Sequence, residues 1–253
     1  MDDFKHKIAN LYSSLLFETG FVDAKTGTVS TDNTRKFATF PYIGSKYGIG
    51  PRILIIGYDI GCDETPGRIQ TFEERNNIET SSLRTKNPHI AGTFFTALYY
   101  LKDFLKINEF WENTKSAKYG RTFDSILRKA PNLPLENPLS YISMTNYFKY
   151  VTQNRGQKDS ITGKILGRRG NFDRVFLNKE NDIKLFLSEV EIFSPDIIFF
   201  QGKEFKFLID SEIKNYFKSN NIKAYYAFHP SDFSEAGANI PDNYFRNRVF
   251  ELD

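Results

Sequence analysis

Two short and entirely apolar runs constrain the fold of this chain more than any other feature of its sequence. One is ILII at residues 53–56, which ends at Gly57, and the other is IIFF at residues 197–200, which ends just before Gly202. Apolar runs of this kind, without alternation of apolar and polar residues, are typical of strands buried on both faces. Such strands occur in parallel sheets that helices cover on each side. The two runs therefore favour an α/β fold.

Helical and strand patterns alternate along the rest of the chain. Apolar residues at helical spacing predict a first helix over residues 3–18, and residues 62–87 are predicted to form a long loop. Four later segments predict helices: AGTFFTALYYLKDFLKI, INEFWENTKSA, NDIKLFLSEVEIF and KEFKFLIDSEIKNYFKSN. LSYISMTNYF and IKAYYAFHP predict strands, and IPDNYFRNRVFEL predicts a closing helix. This order favours a single three-layer α/β/α domain with a mostly parallel central sheet.

The composition excludes several classes of protein. The chain has 253 residues, of which 40% are apolar and 26% charged, so it can bury a sizeable core. A single cysteine rules out an internal disulfide framework and a cysteine-based metal cluster, and we expect neither a metal nor a cofactor. No apolar run approaches the ~20 residues that span a bilayer, and the acidic start is unlike a signal peptide. We therefore expect a cytoplasmic protein with no membrane partner.

Polar residues follow three of the predicted strands. Asp59 comes after the first strand, Asn146 lies in the second, and His229 ends the last. In open α/β sheets ligands bind outside the carboxyl ends of the strands, so these side chains are predicted to face one crevice. Each residue also has a structural alternative. Asp59 fits a helix or turn cap, Asn146 fits a bond to loop backbone, and His229 fits a strand end with one satisfied nitrogen.

The same segments resemble the motifs of the uracil-DNA glycosylase superfamily. GYDIG corresponds to the first motif, written GQDPYH, GEAPG or GMNPG, and SMTNYFKYVTQNR is similar to ITNVVKC…NR. PDIIFFQG is similar to PKVIVALG, NPHIAGTFFTALYYL to RPFVGRAGQLLD, and HPSDFS keeps the His-Pro-Ser of the last motif. The resemblance spans roughly residues 50–235, in the family's motif order. It implies a uracil-DNA-glycosylase-like α/β domain over residues 46–253, with residues 1–45 as an N-terminal helical extension packed on it.

The resemblance implies a DNA glycosylase that flips a nucleotide out of the stack and hydrolyses its N-glycosidic bond. Asp59 matches the aspartate of GQDPYH and is the expected carboxylate beneath the sugar. His229 is the expected donor to the leaving base, by the logic of an oxyanion hole. Asn146 can donate and accept hydrogen bonds at once, which suits the edge of a pyrimidine.

The resemblance also implies contacts with DNA, the expected partner, either as a duplex or as a single strand. Phe233 stands where the family has a leucine that wedges into the base stack, although an ordinary loop anchor is an equal alternative. Ser231 fits a phosphate contact. The expected contacts to the DNA backbone come from basic residues near the middle motif: Lys149, Arg155, Arg168 and Arg169. For Arg168 and Arg169 a merely solvated loop is the alternative. We expect the protein to act as a monomer.

Two departures from the family pattern concern the base pocket. Gly61 stands where GQDPYH enzymes have a tyrosine that crowds the fifth carbon of the base, and His89 stands where PFVG has a stacking phenylalanine. Tyr58, beside the aspartate, completes the predicted base-binding set. The iron–sulfur families use four cysteines, so this chain lacks their cluster. These changes widen the expected substrate from uracil to modified pyrimidines, in base-excision repair or in defence against phage with modified DNA.

Two other functions stay open on the sequence alone. A non-catalytic nucleic-acid-binding protein would use the same fold without base release. A nucleoside or nucleotide hydrolase would use the same three polar loops on a small substrate. A phosphate-binding P-loop, a serine nucleophile elbow and a zinc deaminase site are not supported, because the required spacings or residue types are missing.

Overall fold

The two apolar runs form neighbouring strands of one six-stranded sheet. A computed structural model describes residues 2–15, 22–23, 28–29, 40–58, 72–76, 88–116, 137–149, 179–229 and 240–253. The helices are α1 (Asp2–Leu15), α2 (Phe72–Asn76), α3 (Pro88–Leu101), α4 (Asn108–Thr114), α5 (Lys179–Phe193), α6 (Phe205–Leu208), α7 (Ser211–Ser219) and α8 (Pro241–Arg248), with a 3-10 helix at Pro138–Tyr141. The strands are β1 (Val22–Asp23), β2 (Thr28–Val29), β3 (Tyr42–Ile43), β4 (Ile53–Gly57), β5 (Ile142–Asn146), β6 (Ile197–Gln201), β7 (Lys223–Ala227) and β8 (Val249–Glu251). None of these helices is long and apolar enough to cross a membrane.

The six-stranded sheet has the order β3-β5-β4-β6-β7-β8 and is mixed. Strands β4, β6 and β7 run parallel, with Ile53 opposite Ile197 and Ile197 opposite Lys223. Both edge strands are antiparallel to their neighbours, β3 to β5 and β8 to β7. The prediction of an α/β fold is confirmed, and the apolar runs 53–56 and 197–200 are adjacent strands near its centre.

The described chain falls into two compact units, each assembled from separate stretches of sequence. The first unit comprises residues 1–41, 57–75 and 145–193, and the second comprises residues 42–56, 76–144 and 194–253. The first contains α1, α2, α5 and the antiparallel β1–β2 pair, while the second contains most of the six-stranded sheet. The predicted division between residues 45 and 46 stays a prediction.

In the second unit, helices contact both faces of β6. Successive side chains of a strand point to opposite faces, so Phe199 and Phe200 face different layers. The Phe199 ring lies 5.9 Å from that of Tyr100 on α3, whereas the Phe200 ring lies 4.7 Å from Phe205 on α6. This packing explains why the run IIFF is apolar throughout.

In the first unit, α1 packs against α5 through apolar and aromatic side chains. The rings of Phe4 and Phe193 stack at 6.1 Å, and Ile8 is fully buried. Tyr12, one turn later, lies 5.5 Å from the ring of Phe40. The predicted helix over residues 3–18 is therefore present from Asp2 to Leu15, and its described buried residues are Ile8, Ala9 and Tyr12.

Three predicted helices differ from the structure. The helix predicted for AGTFFTALYYLKDFLKI begins earlier, at Pro88, and already ends at Leu101. Residues 203–220 form two helices instead of one, because the Asp210 side chain accepts hydrogen bonds from the backbone N–H groups of Glu212 and Ile213 and starts a new helix there. The closing helix ends at Arg248, and residues 249–251 form the edge strand β8, which pairs with β7. The short strands β1, β2 and β3 and the helix α2 have no counterpart in the predictions, because two to five residues are too few to show a period.

The cap at Asp210 gives a direct test of the helix break. Asp210→Ala is expected to lower the free energy of unfolding by about 1 kcal/mol, since two backbone N–H groups lose their acceptor. Asp210→Asn should unfold close to wild type, because asparagine caps as well as aspartate. Urea denaturation of the three proteins measures both effects, and equal losses in the two variants would contradict the capping role.

Candidate functional site

The carboxyl ends of β4 and β5 meet in the first unit. The backbone N–H of Tyr147 donates to the Gly57 carbonyl at 2.8 Å, and that of Phe148 donates to the Tyr58 carbonyl at 3.1 Å. These bonds hold the residues just beyond the two strands side by side. Tyr58 and Asn146, two of the predicted base-binding residues, are therefore brought together.

Gly57 provides the space that the Asn146 side chain occupies. A Cβ atom added to Gly57 would lie 2.5 Å from the Oδ1 atom of Asn146, closer than real Cβ contacts allow. The Asn146 amide therefore packs directly against the backbone at the end of β4. The glycine that ends the run ILII is needed for this close approach, and its importance lies in its missing side chain.

Aromatic rings anchor the segment that follows β5. Tyr58 and Phe148 meet edge to face at 4.9 Å, and the Tyr147 ring lies 5.0 Å from Phe186 on α5. Tyr147 and Phe148 are buried, while Tyr58 and Asn146 are half-buried. Tyr58 and Asn146 are therefore partly accessible at the ends of β4 and β5, and buried aromatic rings pack beside them.

Lys149 is buried and does not serve as a surface cation. Its side chain is 2% exposed, and its ammonium group lies 2.5 Å from a carboxylate oxygen of Glu189, which is 0% exposed. The ammonium also donates to Thr145 Oγ1 at 2.6 Å and to the Asn146 carbonyl. The prediction that Lys149 binds DNA phosphate is wrong, because its charge is neutralised and hydrogen-bonded inside the protein.

Tyr12 and Thr145 complete the surroundings of Glu189. The Tyr12 hydroxyl donates to Glu189 Oε1, and the Thr145 hydroxyl lies 3.4 Å from the same oxygen. Burial raises the pKa of Tyr12, and the nearby Glu189 carboxylate raises it further. Burial lowers the pKa of Lys149 against the attraction of Glu189, which favours the charged ammonium. We call these four side chains, Tyr12, Thr145, Lys149 and Glu189, the buried ion network.

Asp182, in the first turn of α5, is a carboxyl group of this unit whose pKa is shifted by burial. Burial raises its pKa from 3.8 to about 6, while the positive charge of Lys149 acts in the opposite direction. Its Oδ2 atom is buried without a hydrogen-bond partner among the described residues. The ionised carboxylate is therefore poorly compensated at neutral pH.

His229 stands at the carboxyl end of β7 in the second unit, where the sequence predicts it. The preceding residue, Phe228, is fixed by two backbone contacts: its N–H donates to the Arg248 carbonyl at 2.9 Å and its carbonyl accepts from the Tyr244 hydroxyl at 2.8 Å. The side chain of His229 is half-buried. Helix α8 thus holds the strand end from which His229 follows.

The other predicted site residues are described in part or not at all. His89 lies in the first turn of α3. The remaining residues lie outside the described part of the chain: Asp59, Gly61, Arg155, Arg168, Arg169, Ser231 and Phe233. Their roles stay predictions.

Comparison with known proteins returns no relative: no protein-family model, no curated protein and no solved structure matches the chain. The site is therefore interpreted from its own residues.

Glu189 and Tyr12 are the site residues that the sequence analysis missed. Glu189 continues a stripe of buried residues on α5, three residues after Phe186 and four before Phe193. A charged residue on the apolar stripe of a helix indicates a buried partner of opposite charge. That spacing was visible in the sequence, but it does not say which cation pairs with the carboxylate.

Asp182→Asn is expected to stabilise the protein at neutral pH. Because the pKa is higher in the folded protein (about 6) than its ordinary value of 3.8, the folded state binds the proton more tightly, and stability falls as the pH rises through this window. The amide has no charge to bury, so the variant should unfold at higher urea concentration than wild type at pH 7.5. Near pH 4 the variant and the wild type should unfold at the same urea concentration.

A matched control is Glu180→Gln, which removes an exposed carboxylate from the same helical turn. We expect its stability to follow wild type at both pH values. A constant difference between Asp182→Asn and wild type from pH 4 to pH 7.5 would show that Asp182 does not titrate in this window.

Proposed function

We propose that the protein is a DNA glycosylase of the uracil-DNA glycosylase type, which flips out a uracil or a modified pyrimidine and hydrolyses its N-glycosidic bond. The main support is the close approach of the Asn146 amide to Gly57 at the ends of β4 and β5. Asp59 follows two residues after Gly57 in the sequence. An amide that can both donate and accept thus lies at the strand end that Asp59, the proposed catalytic carboxylate, follows in the sequence.

In the proposed reaction, water adds a hydroxyl group to C1′ of the sugar while the bond to the base breaks. The base leaves with the electron pair of that bond and takes up a proton, and an abasic site remains. Asp59 would stabilise the positive charge that develops on the sugar, or would activate the water. His229 would donate a hydrogen bond to an oxygen of the departing base.

Asn146, Tyr58, His89 and Gly61 would select the base. Asn146 reads the pyrimidine edge, Tyr58 and His89 offer flat faces, and Gly61 leaves room at the fifth carbon for a substituent. These residues together would favour modified pyrimidines as well as uracil, and the biological setting would be base-excision repair or defence against phage with modified DNA.

The proposed DNA contacts use residues other than those of the buried ion network. Ser231 and Phe233 would hold a phosphate and fill the gap left by the flipped base. With Lys149 inside the protein, the backbone contacts would come from the basic segment that carries Arg155, Arg168 and Arg169.

A panel of oligonucleotides tests the activity. Single- and double-stranded DNA containing uracil, a mismatched thymine, hypoxanthine or a modified cytosine is incubated with the protein, and alkali-labile abasic sites are counted. We expect release of at least one pyrimidine. Asp59→Asn should lose at least about 100-fold in the rate of release and keep its affinity for DNA.

Gly57→Ala tests the role of the strand ends. The added methyl group meets the end of the Asn146 side chain, so we expect displacement of the amide and a loss of roughly tenfold in base release, with little loss of stability. Gly202→Ala is the matched control at the end of β6, where the methyl group meets the Glu204 carboxylate at 2.8 Å. The control should keep its activity.

Three results would count against the proposal. DNA binding without release of any base would favour the non-catalytic binder. Release from free deoxynucleosides but not from DNA would favour the nucleoside hydrolase. Full activity of Gly57→Ala would remove Asn146 from base recognition.

A further inference from the structure

Three hydrogen bonds in the first unit hold the backbone at and just after Asn146. The N–H groups of the next two residues, Tyr147 and Phe148, donate to Gly57 and Tyr58 at the end of β4. The Asn146 carbonyl accepts from the Lys149 ammonium group. Lys149 thus bonds the backbone carbonyl of the residue whose side-chain amide packs against Gly57.

The position of Lys149 depends in turn on two helices that are distant in the sequence. Its ammonium group is paired at 2.5 Å with Glu189 on α5. Glu189 accepts a hydrogen bond from the hydroxyl of Tyr12 on α1, 177 residues away in the chain. The Lys149 ammonium also lies 5.8 Å from the centre of the Tyr12 ring. The N-terminal helix is thus joined to Asn146, the last residue of β5, through a continuous series of polar contacts.

Stability alone does not explain why these polar groups are placed here. A buried ion pair costs desolvation energy that a well-packed apolar pair avoids, so it is weak support for the fold itself. What it provides is a fixed arrangement, since a buried charge that moves away from its partner loses its compensation. In this chain the fixed group is the carbonyl of the residue proposed to read the base.

We propose that Lys149 is a positioning residue that holds the base-reading Asn146, and that the N-terminal helix α1 forms part of this support through Tyr12 and Glu189. The base-reading role of Asn146 rests on the proposed function. The contacts by which Lys149, Glu189 and Tyr12 hold Asn146 do not depend on any activity. Lys149 touches neither DNA nor base in this role. It acts through the Asn146 carbonyl and the Thr145 hydroxyl.

Tyr12→Phe is the mildest test, because it removes the hydrogen bond to Glu189 and keeps the ring that packs on Phe40. We expect the amide protons of Tyr147 and Phe148 to exchange with solvent roughly tenfold faster, as the loss of a hydrogen bond to a charged group allows. Amide protons of the parallel strands β6 and β7 should keep their wild-type rates. Hydrogen exchange followed by NMR gives both sets of rates in one experiment.

The double variant Lys149→Met, Glu189→Gln removes both charges and leaves no unpaired ion. Exchange should again accelerate at Tyr147 and Phe148 and not in β6 and β7, and the acceleration should be larger than in Tyr12→Phe. Lys184→Met is the control, since it removes an exposed lysine from α5 and should exchange as wild type does.

The activity of the same variants links the support to Asn146. On the base that the wild type releases fastest, we expect kcat to fall about tenfold in Tyr12→Phe, while KM for DNA stays within about twofold, since the DNA contacts are untouched. Unchanged exchange at Tyr147 and Phe148 in both variants would overturn the proposal. So would an equal acceleration in β6 and β7, because the ion network would then serve global stability alone.

The two proposals fail in different ways. If the wild-type protein releases no base from any oligonucleotide, the proposed function is overturned, and the exchange rates still decide whether Lys149 and Tyr12 hold Asn146. If base release is found but Tyr12→Phe and the double variant both keep wild-type exchange rates at Tyr147 and Phe148, the function stands and the positioning role falls.

Discussion

The buried ion pair between Lys149 and Glu189 is the interaction on which the candidate site depends. Moving two such charges out of water costs several kcal/mol for each ion, so the pair persists only if its geometry and its further hydrogen bonds compensate for that loss. Here Thr145, Tyr12 and the Asn146 carbonyl supply those bonds. In the proposed role, these bonds hold the segment that carries Asn146, whose amide packs against Gly57.

The central strands and the long helices were predictable because their patterns are local. The run at residues 53–56 is buried throughout, and the apolar stripe of α1 faces α5. Details that depend on pairing with a distant segment were not predictable. Residues 249–251 leave the helical pattern because β7 offers them an unpaired edge, and Asp210 restarts a helix where the periodicity continues unbroken.

In the site, too, features set by nearby sequence were predictable, and contacts with distant segments were not. Tyr58 and Asn146 were predictable as neighbours, since the polar residues that follow strands gather at one end of a sheet. Lys149 was assigned wrongly to DNA binding because its partner, Glu189, is supplied by a helix 40 residues later in the sequence. In the sequence, a lysine close to an asparagine and an arginine fits an exposed cation, and only the structure shows that Lys149 is buried. The proposed glycosylase therefore needs other residues to contact the DNA backbone, and Lys149 acquires a different role inside the protein.

A double-mutant cycle on Lys149→Met and Glu189→Gln measures the central interaction most directly. Each single variant leaves one uncompensated buried charge and should lower the free energy of unfolding by about 3–5 kcal/mol. The double variant leaves none, so its loss should be smaller than the sum of the single losses by at least about 2 kcal/mol. Losses that add to within about 0.5 kcal/mol would show that the two groups do not interact and would contradict the proposed support of Asn146.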